Sequence, residues 1–448
     1  MSRACAAVLA ALLAAAPASA QAAAGDLPDL GPATTVARLQ AGGMAIVDPL
    51  GGAPVAAVEL WYRAPSTGFG AKPVSSLARL AAQAVAASKP LVGPAVGELV
   101  NEVGGRLTIS VFPDSIEISA LVPSSAAQRA VRAMTTAFFA PVLTDDGFHS
   151  AQRDVAEEAA LETFNPETLL RDSIFSELFS GGPQHVPPLG DPKQVAEVNQ
   201  NDVRAFATRA FRSQNAVLVV SGTVDSAIVA SAATGRPETD DAGKPEAPAV
   251  AQLAAKPGEP VQKVFDIPAT GYGWVGPRIT DERDATALDF IADYLFRPET
   301  GVVSRELAAS DPDAFVTGQF ITLHDPGVVF VAYAGKRIDA VRAAVERGLA
   351  SAHKPLAPQA FALARIAFEY NLLHELQTPS ELADNFGWYS VEGNPAYAPG
   401  AGGRAGEYFK AADSLTPEFV ASVADKYLTA TPAVANLRPQ TAANGASK

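Results

Sequence analysis

Cysteine is almost absent from this chain. The single one is Cys5, so a disulfide framework and a cysteine-based metal or redox centre are both excluded. Histidine is also scarce. The five are His149, His185, His324, His353 and His374, and none precedes Phe148. The first 148 residues therefore have no imidazole to hold a metal or move a proton. Positive charge is in deficit: 34 Lys and Arg stand against 48 Asp and Glu, a formal net charge of −14. That balance argues against a nucleic-acid partner and for simple solubility. Beyond the first residues, no apolar run approaches the roughly 20 residues that a membrane-spanning helix needs.

Apolar side chains are plentiful. They make up 48% of 448 residues, enough to build the cores of about two to four domains. The first 20 residues read as an export signal. Arg3 supplies the positive start, Ala6 to Ala16 a short apolar stretch, and Ala18-Ser19-Ala20 a small-residue cleavage site. The apolar stretch is too short to span a bilayer. Cleavage near Ala20 removes Cys5 and delivers the chain to the periplasm or outside the cell.

The remainder divides in two. Pro237 to Pro260 holds five prolines and no sustained apolar period, and reads as an exposed linker. The pieces on either side repeat one order of elements, and such repeats reveal architecture. Arg106 to Val111 and Ile116 to Leu121 form a hairpin about Pro113-Asp114. A helix with Ala130-Val131-Arg132-Ala133 follows, then Leu143 and Phe148 open another. In the second piece, Phe315 to Leu323 and Val328 to Tyr333 form the hairpin. Ala340-Val341-Arg342-Ala343 marks the next helix, and Leu356 and Phe361 open the one after. Both pieces close with a helix and a strand. Thr416 and Pro417 suit the N-cap and first turn of the last helix. Hairpins mixed with helix pairs give an α+β fold: two homologous halves, each a mostly antiparallel sheet packed with helices. The boundaries expected are a signal peptide at 1–20, an N-terminal domain at 35–232, and a Pro/Ala-rich linker at 233–260. A C-terminal domain at 261–435 and a flexible tail at 436–448 follow.

Several short patterns occur in sequence order. They are Gly104-Gly105-Arg106-Leu107, Gln152-Arg153-Asp154-Val155, His185-Val186-Pro187-Pro188-Leu189-Gly190, and the stretch from Val198 to Gly222. In this order and spacing they resemble the pitrilysin/insulinase-like metallopeptidases, over roughly residues 35 to 435. Catalytic members of that family carry His-x-x-Glu-His on a helix, where positions i, i+3 and i+4 share a face and hold zinc beside its base. The resemblance places Arg79, Ala82 and Gln83 at those positions. Arg79 is permanently cationic, Ala82 cannot be a base, and Gln83 is a poor zinc ligand. A downstream family Glu corresponds to Glu157 or Glu158, and an Arg79–Glu158 ion pair is expected in place of the metal. Zinc is thus not expected in this chain, nor any other cofactor, and no residue is assigned a catalytic role.

In two-chain members, the zinc-free subunit supplies an Arg and a Tyr that grip substrate. The matching stretch here runs from Val303, and puts Ala308 and Phe315 at those positions. Thr108 is a third departure, and the substrate-binding residues stay unassigned. His374-Glu375 begins a zinc motif that fails at Thr378. Trp61-Tyr62 and Trp388-Tyr389 read as core or rim aromatics. The resemblance implies a subunit that is non-catalytic by itself, pairs with a zinc-bearing homologue, and helps enclose a peptide. Two alternatives stay open: a stand-alone periplasmic binding or scaffold protein that pairs with itself, and an active zinc peptidase with a displaced site.

Overall fold

The strand β3 (Val55–Arg63) is buried on both faces, and that fact organises the first half. The computed structural model describes residues 27–439 apart from 41, 53, 71 and 234–249; the expected signal peptide and most of the expected linker lie outside the described residues. The first half runs β1 (Thr35–Arg38), β2 (Met44–Pro49), β3 (Val55–Arg63), α1 (Leu77–Ala87), α2 (Val96–Glu102), β4 (Arg106–Val111) and β5 (Ser115–Pro123). It continues with α3 (Ala127–Phe139), α4 (Asp145–Glu162), α5 (Pro166–Leu178), β6 (Phe179–Gly181), α6 (Pro192–Glu197), α7 (Gln200–Ala210) and β7 (Ala216–Gly222). Then come β8 (Gln252–Leu253), β9 (Val261–Val264), β10 (Ala269–Val275), α8 (Glu282–Phe296), α9 (Val302–Ser310), β11 (Phe315–Ile321) and β12 (Val328–Ala334). The chain ends with α10 (Ile338–Ala352), α11 (Pro358–Glu375), α12 (Pro379–Glu392), α13 (Glu407–Asp413), α14 (Pro417–Leu428) and β13 (Ala433–Arg438).

Two main sheets result, in the orders β1-β2-β7-β3-β5-β4 and β11-β12-β10-β13-β9. Each has one parallel pair, β2 with β7 and β13 with β9, and antiparallel pairing elsewhere. The α+β fold with two mixed, mostly antiparallel sheets is as expected. So is the repeat: Ala130–Ala133 lies in α3, and Ala340–Ala343 lies in the matching α10. Thr416 caps α14 by accepting a hydrogen bond from the Phe419 amide.

Successive strand residues face opposite ways. Val58, Leu60 and Tyr62 join the core beneath α1 and α3, while Ala57 and Trp61 join a core on the other face. That second face is covered by α12, a helix of the second half. The exchange is mutual. Helix α5 of the first half packs on β10 and β13 of the second sheet, with Leu170, Ile174 and Leu178 against Phe330, Ala435 and Leu437.

Glycine permits both contacts. A Cβ on Gly273 would stand 2.1 Å from Ile174 Cγ2. One on Gly387, within α12, would stand 2.0 Å from Trp61 Nε1. Trp61 stacks on Phe112 at 6.1 Å and meets Trp388 of α12 edge-on at 6.2 Å. The tryptophans of the two Trp-Tyr pairs seen in the sequence therefore supply one joint between the halves.

Two boundaries need correction. Gln252–Leu253, inside the expected linker, pairs with β6, and Ser180 Oγ donates to Gln252 O and Leu253 O. The expected tail from 436 begins inside β13, where Ala433, Ala435 and Leu437 alternate inward. There Asn436 Oδ1 accepts a 3.0 Å hydrogen bond from Thr270.

The close seat at Gly387 makes a test. Helix propensity would make Gly387→Ala more stable by about 1 kcal/mol. The clash with Trp61 should reverse that sign and cost about 1–3 kcal/mol in urea unfolding. A stabilised variant would refute the seat.

Candidate active-site cleft

Helix α1 owes its orientation to a loop a hundred residues away. Its N-cap Ser76 has φ 66°, donates its backbone N–H to Pro188 O at 3.0 Å, and donates its hydroxyl to Leu189 O. Gly190 lies under Ser75, where a Cβ would stand 2.5 Å from the serine Cβ. His185 Nδ1 bonds Phe179 O at 2.6 Å. The His-Val-Pro-Pro-Leu-Gly loop is thus the brace that aims α1.

The Gly-Gly pair does similar work for β4. Gly104 takes φ 73° after α2, and a Cβ on Gly105 would stand 2.7 Å from Leu121 O. Only glycine lets the chain reverse there and enter β4 flush against β5. Since β4 ends the sheet order, its outer edge is unpaired among the described residues. That edge borders a cleft of about 420 Å³, lined by Arg79 from α1, Ser110 from β4, Glu158 and Glu162 from α4, and Arg171 and Asp172 from α5.

Arg79 and Glu158 meet at the cleft wall. The guanidinium Nε donates to Oε2 at 2.9 Å, and Nη2 to Oε1 at 2.8 Å and to Oε2 at 2.7 Å. Their side chains are 15% and 38% exposed. This is a forked, charge-assisted pair of good geometry. Glu157, one residue away, is exposed, so Glu158 is the one turned to Arg79. Ala82 is fully buried, and Gln83 is half-buried on the same helix.

These residues do not fit zinc. The helix face offers one cation and one amide, and Arg79 already occupies the carboxylate that a metal would need. Glu162 is held separately, accepting from Asn165 Nδ2 at 3.1 Å and Thr168 Oγ1 at 2.6 Å. Thr108 is exposed on β4 beside the cleft without lining it. Ala308, at the end of α9, and Phe315, opening β11, are both exposed in the second half. The structure brings neither into the cleft.

Sequence reasoning missed a second polar group. Glu59, Glu117 and Asp384 place carboxylate oxygens within 4.8 Å of one another, between the first sheet and α12. Trp61 Nε1 and Ser119 Oγ donate to Glu59 at 2.8 and 3.1 Å. Burial, then the charges of Asp384 and Glu117, push the Glu59 carboxyl well up. Burial and Asp384 push Glu117 to about 7. Burial raises Asp384 too. This is a proton-sharing contact between the halves, outside the cleft.

Residues 197–352 match the family model described as peptidase M16 inactive domain. A protease from Helicobacter pylori superposes with TM-score 0.77 at 17% identity, covering 91% of this chain and all of that one. The chain has the pitrilysin-like M16 fold. The M16 match crosses from α7 of the first half to α10 of the second. A peptidase M16 inactive domain from Pseudomonas fluorescens shares the fold, with TM-score 0.71, 15% identity, and coverage of 91% and 99%. A chain of complex III2 from Candida albicans gives 0.72 and 13%, covering 90% and 95%. No curated protein matches this chain.

Two expectations follow. Arg79→His with Gln83→His would join two imidazoles at i and i+4 to Glu158. The double variant should retain one zinc per chain by elemental analysis after dialysis, where the wild type retains none. Failure to bind would mean that Arg79 does not stand where a metal could. At the carboxylate trio, the folded chain keeps the Glu117 proton to about pH 7, while the unfolded chain releases it near 4.5. Its stabilising contribution is full below pH 4.5 and is lost as pH rises to 7. Glu117→Gln should therefore match wild type in urea unfolding at pH 4.5. At pH 8 it should exceed wild type by on the order of 1–3 kcal/mol. Equal stability at both values would contradict the shared proton.

Proposed function

We propose that this chain is a non-catalytic M16 subunit, exported to the periplasm, that pairs with a zinc-bearing homologue and closes a chamber around a peptide. The observation that carries this reading is the Arg79–Glu158 fork. It fills the place of a metal with a permanent cation and ties up the remaining carboxylate. A chain that kept hydrolytic chemistry of its own would need a base and an activated water there, and Ala82 supplies neither.

The cleft supports a binding role that outlives the chemistry. Its wall includes Ile109, Ser110 and Val111 of β4, whose free edge can accept an extended peptide as an added strand. The departures at Ala308 and Phe315 assign this subunit to enclosing the peptide rather than gripping it. Export rests on the leader from Arg3 to Ala20. No helix among the described residues is long and apolar enough to cross a membrane.

One observation favours a second reading, a homodimer. Helix α11 exposes Leu363, Ile366, Tyr370 and Leu373 at 64, 60, 68 and 39%. The steps between them are three, four and three residues, so the four share one stripe of the helix, a face that a two-fold contact with a second copy buries.

Size-exclusion chromatography with light scattering separates the readings. The chain should be inactive on unstructured peptides by itself, and should form a one-to-one complex with a zinc-bearing homologue that cleaves them. A stable homodimer that ignores the homologue would favour the second reading. Peptidase activity with bound zinc in the lone chain would overturn both.

A further inference from the structure

A smaller pocket of about 140 Å³ opens beside the cleft. Phe112, Phe175, Val186 and Pro187 give it apolar walls, and Arg171 and Asp172 belong to both hollows. The walls are braced. Phe112 is stacked on Trp61 and meets Trp388 edge-on at 4.7 Å, and Phe175 packs on Phe179 at 5.7 Å. The amide of Gln184 is buried behind the wall, without a hydrogen-bond partner among the described residues. The side chains that bring charge to the open space are therefore Arg171 and Asp172, where the pocket meets the cleft.

These two do not satisfy each other. They are consecutive on α5, and consecutive helix residues point in different directions. Their closest approach is 4.0 Å, too long for a hydrogen bond. The Arg171 guanidinium donates no hydrogen bond among the described residues. Its side chain is 41% exposed against 20% for Asp172, so the cation is the outer of the two. Burial raises the Asp172 carboxyl, and Arg171 and Lys263 offset only part of that. The other charges of the cleft are engaged. Arg79 and Glu158 hold each other, and Glu162 accepts from Asn165 and Thr168. Arg171 is thus the cation of this wall with donors to give. A guanidinium presents its donors as a planar fork that matches a carboxylate. The helix beneath it is fixed, since Leu170 and Ile174 are buried against the second sheet.

We propose that Arg171 is a carboxylate anchor, and that the side pocket beside it takes an apolar side chain carried close to that carboxylate. A peptide offers this chemistry from two sources. One is its C-terminus, when the last residue is large and apolar. The other is a glutamate or aspartate next to such a residue. That the ligand is a peptide rests on the function proposed above. The pairing of an apolar pocket with an unengaged guanidinium rests on the walls themselves.

The probes are 3-phenylpropionate and 3-phenylpropionamide, which share a ring and a stem and differ in charge. Ligand-observed NMR on the intact chain reads both without any partner subunit. The acid should bind saturably, about tenfold tighter than the amide. Arg171→Gln should erase that preference while the amide still binds. Arg171→Lys, which keeps the charge and loses the fork, should restore part of it. Thermal melts show whether each variant is folded, and the comparison of the two probes on the wild type needs no variant. Three N-acetylated peptides ending in Phe then separate the sources: a free acid, its C-terminal amide, and the amide with a glutamate before the Phe. Tighter binding of the free acid assigns the C-terminus, and tighter binding of the glutamate peptide assigns the side chain. Three outcomes overturn the proposal: no saturable binding of 3-phenylpropionate, equal binding of acid and amide, or a preference that survives Arg171→Gln. A preference for 3-phenylpropionate with no binding of any peptide would uphold the anchor and remove the peptide reading.

Discussion

The exchange of helices between the halves is the constraint on which the rest depends. Helix α12 covers the outer face of β3 and β7, and α5 covers β10 and β13. Each sheet would otherwise expose a broad apolar surface, since β3 is buried along nearly its whole length. Burial of this kind is the dominant favourable term in folding. Here it is available only when both halves are in place. The exchange also positions the cleft. Helix α5 carries Arg171 and Asp172 into the cleft wall while its other side is seated on the second sheet. The cleft belongs to the first half by sequence and leans on the second half for one wall.

The same joint accounts for the unusual chemistry outside the cleft. Strand alternation turns Glu59 and Glu117 to the outer face, where water would ordinarily solvate them. Helix α12 covers that face and adds Asp384. At the C-terminal end of α12, Glu392 is fully buried beside Asp114; burial raises both carboxyls, and the charge of Asp114 raises Glu392 further. Arg63 answers part of that charge and donates to Val391 O. The halves are thus joined by apolar packing in the middle of α12 and by buried acids along it.

What the sequence made legible was local. The hairpins, the paired helices with Ala-Val-Arg-Ala, and the Thr416 cap depend on neighbours a few residues apart, and each lies where the pattern predicts it. The Arg79–Glu158 contact was legible because three positions on one helix face had lost their chemistry together. The exchange was not. Periodicity shows that a helix has a buried face without naming the sheet that buries it. Glu59, Glu117 and Asp384 escaped for that reason: two of them read as ordinary outward-facing strand residues. Gln184 was hidden beside a conspicuous histidine, and only the folded chain reveals that its amide is buried without a partner among the described residues.

The covalent link between the halves carries little of their cohesion. With α5 seated on the second sheet and α12 on the first, a break between residues 233 and 250 would yield two fragments, each holding a helix that completes the other. Such a molecule behaves as an intramolecular heterodimer whose tether mainly sets effective concentration. Two separately synthesised pieces could then reconstitute the whole.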